Sequence, residues 1–182
     1  MNKKRKLNKT PIIKPVAADE ATDLVLSSMS EDGYLLATDE EMLAAARTAT
    51  ANDIRDAITR IRQLGPPGIG YRTLRECLLA QLWHRLTAVK SAKGHAFFLG
   101  SPKKLAVQAK LALEVALYIV DKHLRELHHA DKSMLIRKWA LEWDRPEALI
   151  EAAIECILNL NPRPGHPCPG IAAMASASKY LN

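Results

Sequence analysis

Aromatic residues are scarce in this 182-residue chain: two Phe, four Tyr and three Trp amount to 5% of it. Sheets draw heavily on β-branched and aromatic side chains, so this scarcity, set against an abundance of Ala and Leu, points to helices. Cysteine is equally sparse. Cys77, Cys156 and Cys168 are widely spaced and odd in number, which argues against a disulfide framework. No run approaches the roughly 18 to 20 apolar residues that cross a bilayer, and the charged N-terminus has no apolar stretch of the secretory kind. The expected location is the cytoplasm, with no membrane partner.

Signs of chemistry are also missing. His123, His128, His129, His166 and Cys168 offer no pair of ligand pairs for a metal. Gly65, Gly68 and Gly70 match no phosphate-loop spacing, and no lysine-serine or lysine-threonine pair follows them. Nothing in the linear order brings two carboxylates together for acid-base work. Cys77 and Cys156 lie on apolar faces and read as packing residues. Trp83, Trp139 and Trp143 are spaced as helix-face core or lobe-interface residues. These absences exclude no particular partner, but they lead us to expect no catalytic residue, metal, cofactor or small-molecule substrate.

What is present is a net charge of +6, and its location matters. Lys3, Lys4, Arg5, Lys6, Lys9 and Lys14 precede the first acid, Asp19, so the remaining 20 basic residues balance the 20 acidic ones. Such a run reads as a solvated, disordered arm over residues 1–17 rather than a nucleic-acid face of the folded part.

Helical periodicity organises the rest. A first lobe is expected over residues 18–86. Its helices run from Ala18 to Met29, with Leu24, Val25 and Met29 inward, from Asp39 to Arg47, from Asp53 to Leu64, and from Tyr71 to Leu86. Gly33 supplies a left-handed stop after the first. Residues 87–100 read as a linker. A second lobe follows over residues 101–165. Ser101-Pro102 caps a long helix whose stripe is Leu105, Ala109, Ala112, Leu113, Ala116, Leu117, Val120 and Leu124. Helices from Lys132 to Trp143 and from Glu147 to Leu160 complete it, the latter opened by Asp144-Arg145-Pro146 with the same capping logic. Residues 166–182, rich in small side chains, read as a disordered tail. The fold class is therefore all-α, in two small helical lobes.

Between Leu64 and Leu82 the chain turns a stiff corner. Pro66 disfavours helical geometry at Gly65, Gly68 and Gly70 can adopt positive φ, and Thr73 with Glu76 forms a capping-box pattern that starts the next helix. Pro66, Pro67, Gly68 and Gly70 thus form one structural corner. The order is partly echoed downstream: Ile58, Ile61 and Leu64 answer to Ile154, Ile157 and Leu160. There Pro162, Pro164 and Gly165 make a second corner.

The segments Glu40 to Leu64 and Ser133 to Leu160 each read as a short helix, a turn and a longer helix, the arrangement of a helix-turn-helix. A small DNA-binding transcription regulator is therefore the alternative reading. Glu147, Glu151 and Glu155 on the second unit would face phosphates, which speaks against DNA docking by that helix.

The corner also carries a resemblance. Leu64-Gly65-Pro66-Pro67-Gly68-Ile69-Gly70, with Leu74-Arg75-Glu76-Cys77-Leu78-Leu79 and Gln81-Leu82, resembles the core-binding region of the bacterial sigma-54 (RpoN-type) transcription initiation factors, whose usual pattern is DP-x-GVGARDL-x-ECL-x-x-QL. Asp32-Gly33-Tyr34-Leu35 resembles the family's upstream DGYL, and Leu160-Asn161-Pro162-Arg163-Pro164-Gly165 its downstream L-D-PRPG. Four positions depart from the pattern: Gly65, Thr73 and Asn161 stand where Asp is usual, and Tyr71 where Ala is.

The resemblance implies docking on core RNA polymerase, with Arg62, Arg72, Arg75, Glu76 and Arg163 as the expected contacts. The family's Gln/Leu-rich activator region, its promoter-reading helix-turn-helix and its ARRTVAKYRE-like box have no counterpart in the sequence. Promoter DNA is accordingly expected to be touched only indirectly or weakly.

Overall fold

A computed structural model describes residues 15–91, 103–129 and 131–166. The basic arm before residue 15, the Ser101-Pro102 cap, most of the expected linker, Cys168 and the tail from residue 167 lie outside the described residues. Helix α1 spans Pro15–Ser27, α2 Asp39–Ala45, α3 Ala51–Leu64 and α4 Leu74–Ser91. Helix α5 spans Lys103–Tyr118 and runs through a π-helical turn, Ile119–His123, into α6, Leu124–His129. Then α7 spans Lys132–Glu142 and α8 Glu147–Leu158. Extended pairing among the described residues is limited to two isolated bridges, Met29 with Leu35 and Tyr34 with Tyr71.

Local chemistry sets the helix starts. Thr38 and Glu41 form a capping box on α2, and Thr50 and Asp53 one on α3. Each satisfies backbone N–H groups that an uncapped first turn leaves orphaned. The same logic moves the start of α4. Thr73 Oγ1 accepts from Glu76 N at 3.2 Å while Glu76 Oε2 accepts from Thr73 N at 3.3 Å. Helix geometry begins directly after the capping Thr73, at Leu74 and not at Tyr71. The capping expected before α8 is absent: Pro146 occupies the N-cap and no side chain closes it.

The helices bury two separate apolar clusters. Ala21 and Val25 of α1 pack with Leu35, Met42 of α2, Ala49, and Ile54, Ala57 and Ile58 of α3. Of the expected inward residues Val25 is buried, joined by Ala21, and Met29, just past the end of α1, packs half-buried against the cluster, whereas Leu24 is half-buried outside it. The second cluster gathers Leu113, Ala116, Ile119 and Val120 around Trp139, Ile150, Ile154 and Ile157. Leu78, Leu82 and Leu86 of α4 belong to it as well.

That membership corrects the expected grouping, since α4 follows the first group in sequence but packs with the second. Three leucines at i, i+4 and i+8 form a seam along α4, and burying each contributes about 1.5–3 kcal/mol. The seam continues the helix past Leu86 to Ser91, so the first five residues of the expected linker are helical.

Other expectations change for related reasons. The π turn carries one extra residue per hydrogen-bonded ring, which places Ile119 as well as Val120 in the core, while Ala109 faces solvent. Trp139 is fully buried and Trp143 stacks on it with ring centres 5.1 Å apart. Trp83 instead is 55% exposed on the outer side of α4. The echo between the two corners fails at its last member. Leu160 is buried, whereas Leu64 is 88% exposed because α3 ends there and the chain turns away.

Candidate functional site

Three loop segments far apart in sequence meet where the two clusters adjoin. The first is the turn after α1. Gly33, at φ 90°, donates to Ser30 O at 2.9 Å, and Tyr34 O accepts from Ser30 N at 2.8 Å. The second is the corner after α3, where Gly65 N closes on Ile61 O and Gly68 and Gly70 take φ of 97° and 71°. At Gly68 a Cβ would lie 2.8 Å from both Cys77 Sγ and Gln81 Nε2, so glycine is required there by space as well as by φ. The third is the turn after α8. Asn161 Oδ1 accepts from Arg163 N at 3.0 Å while its Nδ2 donates to His166 O at 2.9 Å. An aspartate could accept the first of these bonds but could not donate the second.

Backbone groups tie the three together. Gly70 N donates to Gly33 O at 2.9 Å, Leu35 N to Tyr71 O at 3.0 Å, and Gly165 N to Asp32 O at 2.9 Å. Gly33 and Gly165 touch so closely that a Cβ on Gly33 would sit 2.6 Å from Gly165 N. Side chains complete the junction. Tyr34 donates its hydroxyl to Pro162 O at 2.6 Å. Gln81 Nε2 donates to Asn161 O at 2.6 Å, and Gln81 Oε1 accepts from Asn161 N at 2.8 Å. Burial, reinforced by the nearby Cys77, pushes the Tyr34 phenol up, and burial pushes the Cys77 thiol up against a lowering hydrogen bond from Gln81. Both groups are held neutral near pH 7, so they act here as packing and hydrogen-bonding groups.

The residues expected to contact a partner all lie on or beside this junction, and several are engaged within it. Arg62 places Nε and Nη2 3.0 and 2.9 Å from Gly70 O, with its guanidinium 4.0 Å over the Tyr71 ring. The larger residue at position 71 is thereby accommodated under a cation. Arg72 reaches back to Ala37 O at 3.1 Å and Asp39 at 2.7 Å. Arg75 binds the carboxylate and the backbone carbonyl of Asp121, and Glu76 caps α4. Arg163 is the most loosely held: its Nε is 3.8 Å from Asp32, whose carboxylate is also 3.2 Å from His166 Nε2. Pro66, Pro67 and Pro162 are exposed, whereas Pro164 is buried against Gly33.

Sequence reasoning singled out these motifs but not their joining, nor the part of Tyr34, Gln81 and Asn161 in it. A glutamine on the apolar face of α4, one turn from Cys77 and Leu78, was the available signal. Among the described residues no group of three or more His, Cys, Asp or Glu could hold a metal ion, and no helix is long and apolar enough to cross a membrane.

Fold and site define an all-helical domain whose distinctive residues join two packed helix groups through a shared turn junction. The model of the family described as sigma-54 factor, core binding domain matches residues 13–174, and the chain belongs to that family. RNA polymerase sigma-54 factor of Pseudomonas aeruginosa is 31% identical over 160 residues, covering 86% of this chain and 26% of the relative. That of Acidithiobacillus ferridurans is 30% identical over 150 residues, covering 81% and 26%. That of Escherichia coli is 27% identical over 143 residues, covering 78% and 25%. The chain thus spans about a quarter of the length of the curated relatives it matches.

Proposed function

We propose that this chain is a transcription initiation module that docks on core RNA polymerase, as the family's description implies, and carries no catalytic role. The observation that supports this most is that the three family-like motifs, scattered over more than 130 residues, form one hydrogen-bonded junction. A junction that fixes two helix groups against each other presents a rigid composite surface, which is what a large protein partner can recognise without an ordering cost. The exposed carboxylates Glu147, Glu151 and Glu155 on α8 favour a protein partner over phosphate backbone for that face.

Within the junction, Arg62, Arg72 and Glu76 act as positioning residues, because Arg62 is tied to the Gly70 carbonyl, Arg72 to the Ala37 carbonyl and Glu76 to the Thr73 N–H. Arg163 and the exposed Leu64 are the groups most available for direct contact. The place of Leu64 at the end of an apolar stripe suggests the core instead. Activator response and promoter reading lie outside the residues that build these two cores.

Association with purified core polymerase tests the reading. Complex formation at micromolar protein and low salt is expected, together with competition against a full-length sigma-54 factor for core. Charge reversal in Arg163→Glu is expected to weaken the complex at least tenfold with unchanged thermal stability. No association under those conditions would overturn the proposal.

A further inference from the structure

At the other end of α8 from the junction lies a cleft that polymerase docking at the corners does not use. Twelve residues of α8 separate them, about 18 Å at 1.5 Å per residue. Leu111, Val115 and Tyr118 of α5 face Trp143 and Leu149 across a cavity of about 320 Å³, near the lower end of the range for ligand-sized pockets. One wall is a rigid aromatic block. Tyr118 meets Trp143 edge-on at 5.3 Å, Trp143 stacks on the buried Trp139, and the π turn brings His123 to 5.3 Å from Trp143. Asp144 takes a left-handed φ of 49°, turning the chain sharply between Trp143 and Arg145.

Charge on the rim chooses the occupant. Glu114 is already paired with Lys110 at 3.3 Å. Arg145 is exposed and forms no ion pair among the described residues. An apolar group therefore finds walls inside the cleft, and a carboxylate finds an unopposed guanidinium at its edge. A cationic occupant would meet Arg145 and Lys110.

We propose that this cleft is a second docking site, which takes an acidic, leucine-type peptide segment of a partner protein. The leucine side chain lies against Tyr118 and Trp143, and the neighbouring carboxylate pairs with Arg145, a geometry for which guanidinium is suited by its planar donor fork. The proposal does not depend on polymerase binding at the corners.

The test uses the whole chain with nitrogen-15-labelled tryptophan, read through the indole N–H resonances. The probe is a blocked tetrapeptide with two central leucines flanked by glutamates, and its control carries lysines in place of the glutamates. The acidic peptide is expected to move the Trp143 resonance saturably while that of Trp83, exposed on α4, stays still. Arg145→Glu should weaken the acidic peptide at least tenfold and admit the lysine peptide, and Arg145→Ala should give an intermediate loss. Absence of a saturable shift up to millimolar peptide, equal response to both peptides, or indifference to Arg145→Glu would overturn the proposal. Sedimentation of the free chain is expected to show a monomer at all concentrations. A dimer dispersed by Arg145→Glu would overturn it too, since the occupant would then be a second copy offering Glu151, Glu155 and Leu158 of α8.

Discussion

Gln81 and Asn161, separated by 80 positions, exchange two hydrogen bonds through one side-chain amide: Nε2 to Asn161 O at 2.6 Å and Oε1 from Asn161 N at 2.8 Å. Gln81 is the buried polar side chain of the described core, and both backbone groups it satisfies sit at the base of the turn after α8. The pair therefore locks that turn to α4.

Replacing the amide by a hydrocarbon of similar size isolates this lock. Gln81→Leu leaves the Asn161 N–H without a partner in a part-buried site and the Asn161 C=O with only the long contact from Cys77 Sγ at 3.8 Å, at about 1–3 kcal/mol for each group so deprived. A loss of about 2–4 kcal/mol in urea unfolding is expected. A change below about 1 kcal/mol would mean that water replaces the amide and that the lock is not structural.

Glycine substitutions separate strain from space. Gly70 has φ 71° but is buried without crowding: the nearest atom to an added Cβ, Arg62 Cγ, would lie at an ordinary contact distance of 3.5 Å. Gly70→Ala should cost only the left-handed conformation, about 1–2 kcal/mol. Gly33→Ala carries the same conformational cost and also drives a Cβ into the backbone of Gly165. It should be clearly more destabilising in thermal unfolding; equal costs would contradict the close docking of the two turns.

The two echoed leucines should behave oppositely. Leu160 is buried in the second cluster, and Leu160→Ala should cost about 2–5 kcal/mol. Leu64 is 88% exposed, so Leu64→Ser should change stability by no more than about 0.5 kcal/mol while weakening polymerase association. Chemical denaturation and the core-binding assay read the two effects separately.

Acid stability should report on Glu20, whose carboxylate is pulled down to about 2 by hydrogen bonds from the Thr48 hydroxyl and the Arg47 N–H, joined by the Thr48 and Ala49 N–H groups. A depressed folded-state pKa gives stability that is present above the unfolded value of 4.5 and is lost as pH falls toward 2. Glu20→Gln should therefore lower the melting temperature at pH 7, with a difference from the parent that shrinks between pH 4.5 and pH 2. A difference constant over that range would show that the clasp does not need the charge.

Local rules carried much of the fold. Periodicity locates the helices, Pro66 and Pro162 mark the ends of two of them, and the Thr73–Glu76 box is legible as a sequence pattern and forms in the structure. Errors arose where packing overrode pattern. An apolar stripe on α3 pointed to Leu64 as core, but its last member falls where the helix ends and nothing covers it. The cleft beside Trp143 has no signature in the sequence, because it combines α5, the turn from Trp143 to Arg145 and Leu149 of α8, none of which encodes the others.

By itself the sequence determined the all-helical class, the positions of the corners and the three motifs that mark the sigma-54 core-binding family. These are short-range properties, set by backbone sterics, capping and spacing within a few residues. Only the tertiary structure decided that α4 packs with the second cluster, that Gly33 and Gly165 touch, and that Gln81 holds Asn161. Those relations depend on which apolar faces are free to bury one another and on contacts across 80 or more residues, for which the order of side chains along the chain contains no distance.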